Sequence, residues 1–175
     1  MTEYRDHHAM IFVTPDAAGP LESMRREWDP DMAAVIAAHV TLVYPHEAPD
    51  VDLLVSRLRG RALTTAPFRL RLGGLGCFDR PEGGVYVDVK DIDGAYKRLR
   101  DQLLFPPLRP FTFPPHVTIA HPRTSRRLRE LWESSSYRRS NAEFTVREIA
   151  ITAFDGLRWE TLQRVPLTGR RVGPQ

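Results

Sequence analysis

The 175-residue chain is 42% hydrophobic with a net charge of +3, which excludes a disordered or fibrous protein and allows a packed core. Its longest apolar stretch, residues 32–45, contains a histidine and is shorter than the about 20 residues a bilayer span needs, and residues 1–8 lack a signal-peptide core. No membrane span and a cytoplasmic location are therefore the expectation, and the single cysteine, Cys77, excludes an internal disulfide and a thiolate metal site.

In chain order, residues 8–14 form a first predicted strand, ended by Pro15 and an Ala-Ala-Gly-Pro turn at 17–20. His7 and His8, near the N-terminus, read as a surface pair. Residues 21–38 have helical composition with a break at Asp29-Pro30. His39-Val40-Thr41-Leu42 follows, continued by Val43 and Tyr44 and closed by Pro45, and reads as a short strand. Asp50 is placed to cap a helix whose Leu53, Leu54, Val55 and Leu58 make a stripe up to Gly60. Phe68, Leu70 and Leu72 alternate with Arg69 and Arg71 as in a half-buried strand, and Gly73, Gly74 and Gly76 allow a bend or bulge. A turn at 80–84 leads to a returning strand through Val85, Val87 and Val89.

Asp91 to Leu104 fits a helix. Five prolines, at 106, 107, 110, 114 and 115, make a stiff extended approach to His116-Val117-Thr118-Ile119, which Pro122 closes. Thr124 or Ser125 is placed to cap a helix with Leu128, Leu131 and Trp132 inward. Phe144 to Phe154 and Glu160 to Leu167 then form a hairpin about Asp155-Gly156.

One tetrapeptide pattern thus occurs twice. Because strand side chains alternate, each copy sets an imidazole and a hydroxyl on one face and two packing groups on the other. Ala66, Phe68, Arg71, Phe78 and Asp79 recur 76 positions later as Ala142, Phe144, Arg147, Phe154 and Asp155, and the two histidines lie 77 apart, which favours a duplicated unit. Such a duplication would bring both His-Thr pairs into one pocket. Two imidazoles near neutrality supply a base and an acid for phosphoryl transfer, and two hydroxyls can donate to the non-bridging oxygens. This chemistry requires no metal or cofactor, and none is expected. Six arginines between His121 and Arg139, against Glu130 and Glu133, give a locally basic segment; it suits either phosphate contact or a solvated helix face.

The two copies, His39-Val-Thr-Leu and His116-Val-Thr-Ile, resemble the signature of the 2H phosphoesterase superfamily, which includes 2′-5′ RNA ligase-like proteins and cyclic nucleotide phosphodiesterases. The resemblance implies an α+β, bilobal, duplicated fold: two antiparallel sheets with helices outside and a central cleft, over a single domain spanning residues 1–175. It implies His39 and His116 as the catalytic pair with Thr41 and Thr118 on the phosphate, and it directs attention to Tyr44, His121 and Arg123 as substrate-binding positions. The implied substrate is a nucleotide or RNA end carrying a 2′,3′-cyclic phosphate or a 2′-5′ linkage, with ATP-independent joining as the reverse reaction. A second reading is a non-catalytic module that keeps the cleft to hold RNA or a nucleotide. A monomer is the expected state.

Overall fold

The computed structural model describes residues 6–104, 106, 113–137 and 139–170. Among them the order is β1 (Asp6–Phe12), α1 (Pro15–Trp28), α2 (Pro30–Val35), β2 (His39–Val43), α3 (Val51–Ala62), β3 (Phe68–Cys77), β4 (Val85–Asp91), α4 (Ala95–Leu103), β5 (His116–Ala120), α5 (Leu128–Ser134), β6 (Glu143–Val146), β7 (Glu148–Phe154) and β8 (Trp159–Pro166). A short 3-10 turn at Pro81–Gly83 joins β3 to β4.

All strand pairings are antiparallel, in the order β6-β3-β4-β5-β2-β1-β7-β8. The two four-stranded halves meet at β2 and β5, so the equivalent strands adjoin within one continuous sheet. Their ladder is a single bridge, Val40 with Val117. One half draws on both ends of the chain, the hairpin β7-β8 completing the half that holds β1 and β2, whereas β6 completes the half built from the middle of the chain, β3 to β5. No helix among the described residues is long and apolar enough to cross a membrane.

Burial follows the predicted alternation. Val40, Leu42, Val117 and Ile119 are fully buried, while His39, Thr41 and Thr118 are half-buried on the other face. Beneath β2, α4 presents Tyr96, whose hydroxyl donates to the Thr41 carbonyl at 2.8 Å, and Arg100, which donates to the Leu42 carbonyl at 2.5 Å and forks onto the buried Glu47. Glu47 in turn accepts from the Tyr44 N–H at 3.0 Å. Breaking such a buried pair from one side costs about 3–5 kcal/mol, because the remaining charge has no partner.

Local chemistry explains the boundaries. Asp29 accepts from the Met32 N–H and separates α1 from α2 where the Asp-Pro break was expected, and Asp50 caps α3 through the Leu53 N–H at 2.9 Å. The turn expected at 17–20 lies instead inside α1. Pro15 occupies the first turn, where a missing N–H costs nothing, and Ala17, Leu21, Arg25 and Trp28 share one buried stripe that outweighs the bond lost at Pro20.

The glycine bulge appears as a register shift between Leu72 and Leu75. A Cβ at Gly73 would lie 2.8 Å from the Asp88 Cβ and one at Gly76 2.6 Å from the Tyr86 ring, so glycine at both lets β4 approach closely.

Three further expectations are corrected. Phe144 to Phe154 is two strands, because the chain crosses at Arg147 from pairing with β3 to pairing with β1. Neither Thr124 nor Ser125 caps α5; Ser125 donates to the Trp28 carbonyl at 2.6 Å, Thr124 donates to Asp29, and Arg127 stands at the helix entry without a side-chain cap. Trp132 is 40% exposed rather than inward, since Leu128 and Leu131 fill the contact. Of the proline approach, Pro107 and Pro110 lie outside the described residues, as do Phe111 and Arg138.

Candidate active site

His39 and His116 are held in the same way. Each Nδ1 lies 2.8 Å from the backbone carbonyl two residues upstream, Ala37 for His39 and Pro114 for His116. A carbonyl only accepts, so Nδ1 carries the proton and the Nε2 lone pair is left for the cleft. The antiparallel register through Val40 and Val117 sets His39 on the row of Thr118 and Thr41 on the row of His116. All four line a cleft of about 850 Å³, together with Tyr44, His121 and Arg123. The structure therefore brings every sequence-predicted site residue to one cavity.

The surroundings of the two imidazoles differ. Burial drives the His39 pKa down to about 4, opposed by the bond to Ala37 and reinforced by the cation of Arg25 and by His116. Burial also lowers that of His116, but there the Pro114 bond and the Asp88 carboxylate, its cross-strand neighbour, both push back. Phe78, Tyr86 and Phe113 surround the His116 ring at 5.0, 5.2 and 6.0 Å, whereas His39 has Phe12 at 6.3 Å.

A buried strut supports His39. Arg25, 1% exposed, donates to Glu22 at 2.9 Å and to the Ile36 carbonyl at 2.6 Å, and Glu22 accepts from the Ala38 N–H at 2.5 Å. The segment that supplies the Ala37 carbonyl is thus fixed on both sides. The loop after β5 has its own anchor in the fully buried Asp29, which accepts from the His121 N–H at 2.8 Å and the Thr124 hydroxyl at 2.7 Å. His121 Nδ1 accepts from the Arg123 N–H at 3.1 Å, so its tautomer is opposite to that of the paired histidines.

Pro122 supplies the bend that returns His121 to the side of His116. No cluster of three or more metal-ligating side chains occurs among the described residues. Tyr44 hydrogen-bonds Thr41, and burial pushes its phenol pKa up to about 12.

This geometry can be set beside known proteins. The family model described as the 2'-5' RNA ligase superfamily matches residues 13–158. The chain belongs to the 2′-5′ RNA ligase superfamily.

A Bacillus cytotoxicus member named "Putative phosphoesterase" is 30% identical over 116 residues, 63% of this chain and 66% of that protein. A Geobacillus kaustophilus protein of the same designation is 32% identical over 102 residues, 55% of this chain and 58% of its own. The chain therefore matches less than two thirds of the length of either relative. Among solved structures, TT0787 of Thermus thermophilus superposes with a TM-score of 0.67 at 20% identity, covering 95% of this chain and all of that one. Escherichia coli LigT complexed with 3'-AMP gives 0.63 at 21%, covering 95% and 99%. At that identity both likenesses speak for the fold.

For this member of the superfamily, sequence reading missed the supporting groups. Arg25 and Asp29 lie in a helical stretch with nothing to mark them as buried. His8, expected at the surface, lines the cleft, because β1 lies between β2 and β7 and the half-site face runs through it. Among the described residues of the arginine-rich segment, Arg123 alone lines the cleft; Arg127 stacks on Trp28 at 4.3 Å and pairs with Glu130, and Arg129 pairs with Glu82.

Proposed function

We propose that this protein is a phosphoesterase that opens a 2′,3′-cyclic phosphate or cleaves a 2′-5′ phosphodiester on a nucleotide or RNA end, without a metal. The observation that carries the reading is the matched tether: two imidazoles on adjoining strands, each with Nδ1–H on a carbonyl at 2.8 Å and a threonine two residues on. In hydrolysis one Nε2 takes a proton from the attacking water as its oxygen bonds to phosphorus. The other imidazole, protonated, gives its proton to the sugar oxygen as the phosphorus–oxygen bond breaks, leaving a phosphomonoester. Thr41 and Thr118 donate to the non-bridging oxygens as charge builds there.

The unequal surroundings favour a division of roles. His39, next to the Arg25 cation, is the poorer proton holder and acts as base; His116, next to Asp88, acts as acid. A bound phosphate anion raises both pKa values and so favours the one proton that the reaction needs. In 2′-5′ joining a 5′-hydroxyl replaces water on the cyclic phosphate: the base takes its proton as its oxygen bonds to phosphorus, and the acid protonates the 3′-oxygen as that phosphorus–oxygen bond breaks. Arg123 and His121, at the β5 end of the cleft, are placed to hold a further phosphate of the substrate.

The test is hydrolysis of nucleoside 2′,3′-cyclic phosphates and 2′-5′ dinucleotides with excess EDTA. Turnover that persists with chelator and disappears in the His39→Ala, His116→Ala double variant is expected. Activity that vanishes with chelator, or survives the double change, overturns the reading. Binding without turnover identifies a binding module instead.

A further inference from the structure

Beyond β2 the cleft is floored by aromatic side chains. His8 lies 4.5 Å from Trp159 and 6.0 Å from Tyr44, Trp159 lies 5.3 Å from Phe154, and all four line the cavity. His8 is unlike the paired histidines. Its Nδ1 is sealed from solvent with no hydrogen-bond partner, and Nε2 forms no hydrogen bond among the described residues. A sealed N–H is costlier to strand than a sealed lone pair, so the ring proton belongs on Nε2, the nitrogen left to the cleft.

Burial and the neighbouring His39, His46 and His7 lower its pKa to about 3. The ring is therefore a neutral, flat hydrogen-bond donor across the working pH range. Thr152, paired across the strands with His8 and 1% exposed, also has an unpartnered hydroxyl oxygen. Thr152 does not line the cleft, so the unpartnered Nδ1 marks the sealed side of the His8 ring, and the edge this ring offers a flat, polar occupant is Nε2–H.

Resting on the phosphoesterase reading, we propose that His8 and Trp159 form a subsite for the heterocyclic base of the substrate, Trp159 supplying the stacking surface and His8 Nε2–H donating to a ring nitrogen or carbonyl. In the strand order β5-β2-β1-β7-β8, His8 on β1 and Trp159 on β8 lie on the far side of β2 from β5, the strand that leads to Arg123. A nucleoside cyclic phosphate then spans from ring to reacting phosphorus within one cavity.

The experiment compares kcat and KM for adenosine and uridine 2′,3′-cyclic phosphates with those for the base-free methyl riboside 2′,3′-cyclic phosphate. Wild type is expected to favour the base-bearing substrates by about 10-fold or more in kcat/KM, mainly through KM. Trp159→Ala should bring that preference towards unity. His8→Phe keeps a flat ring but removes the donor, and should lose part of it, whereas His8→Ala loses more. Folding of each variant is checked by its melting transition, and the conservative His8→Phe keeps the test valid if His8→Ala unfolds.

Equal kcat/KM for base-bearing and base-free substrates in wild type, or an unchanged ratio in folded Trp159→Ala, overturns the subsite while leaving the phosphoesterase reading intact. If no cyclic phosphate is turned over, that reading fails, and the subsite is judged by calorimetric binding. Tighter binding of adenosine 3′-monophosphate than of methyl riboside 3-phosphate supports it, and equal binding overturns it.

Discussion

The half of the sheet that carries His39 and the half that carries His116 hold their imidazoles identically and charge them differently. Both tethers are a carbonyl at 2.8 Å two residues upstream. Behind one ring stands a buried guanidinium, Arg25; across from the other stands an exposed carboxylate, Asp88, within a ring of aromatic side chains. Backbone geometry repeated with the duplicated motif, while proton affinity was set by residues outside it. For the proposed reaction, symmetric placement suits contact with a phosphorus centre from two sides, and asymmetric electrostatics suits a division into base and acid.

The sharpest way to break the comparison is to remove one ring at a time. His39→Ala and His116→Ala should each lower kcat on a cyclic phosphate by about 10²–10⁴-fold. A diester with a nitrophenolate leaving group, which needs no acid, should restore most of the rate to His116→Ala and little to His39→Ala. Equal rescue would show that the roles are not divided.

Next in size are the hydroxyls: Thr41→Val and Thr118→Val should each cost about 10²-fold in kcat with a smaller change in KM, as loss of one donor to developing charge does. A much larger loss at Thr41 would trace to its bond with Tyr44.

Smaller, and more diagnostic, are the pH limbs of kcat/KM, which report the free enzyme. With His39 as base the acid limb should fall near pH 4, and with His116 as acid the alkaline limb should lie below 6.5. Arg25→Met removes a cation that depresses His39, so the acid limb should move up. Asp88→Asn removes an anion that supports His116, so the alkaline limb should move down. Both variants narrow the bell, from opposite sides. Arg25→Met should also lower the melting temperature, because it removes the cation that pairs with Glu22 and the donor to the Ile36 carbonyl.

The smallest effect is on stability. His8 and His39 bind a proton less readily folded than unfolded, so between pH 6.5 and about 4 the unfolded chain holds more protons and stability falls as pH falls. Each ring contributes at most about 1.4 kcal/mol per pH unit in that window. Melting curves at neutral and mildly acidic pH read it directly, and a melting temperature that rose on acidification would contradict the shifts.

Much of this was legible in the residues. Period-two alternation placed His39, Thr41, His116 and Thr118 on one face and their valine neighbours in the core, and Asp50 and Asp29-Pro30 marked helix ends by local chemistry alone. What was illegible depended on partners far along the chain. Nothing in Phe144 to Phe154 says that the strand changes sides at Arg147, since both segments alternate equally well. Burial of His8 follows from β7 closing over β1, and of Arg25 from the extended 36–38 segment folding back on α1. Thr124 and Ser125 read as caps because hydroxyls favour helix entries, but their bonds to Asp29 and the Trp28 carbonyl hold them in the turn before the helix, where Ser125 accepts from the Arg127 N–H at 3.2 Å.

The join between β2 and β5 is one rung long. A seam that short resists bending weakly, so the opening angle between the two halves depends on the packing of fully buried Val40 and Val117 against the layer below. Swapping those valines for alanine or isoleucine would respace the imidazoles without touching anything a ligand meets. On the proposed function, the size of ligand the cleft admits would then be set from the interior, by methyl groups no ligand meets.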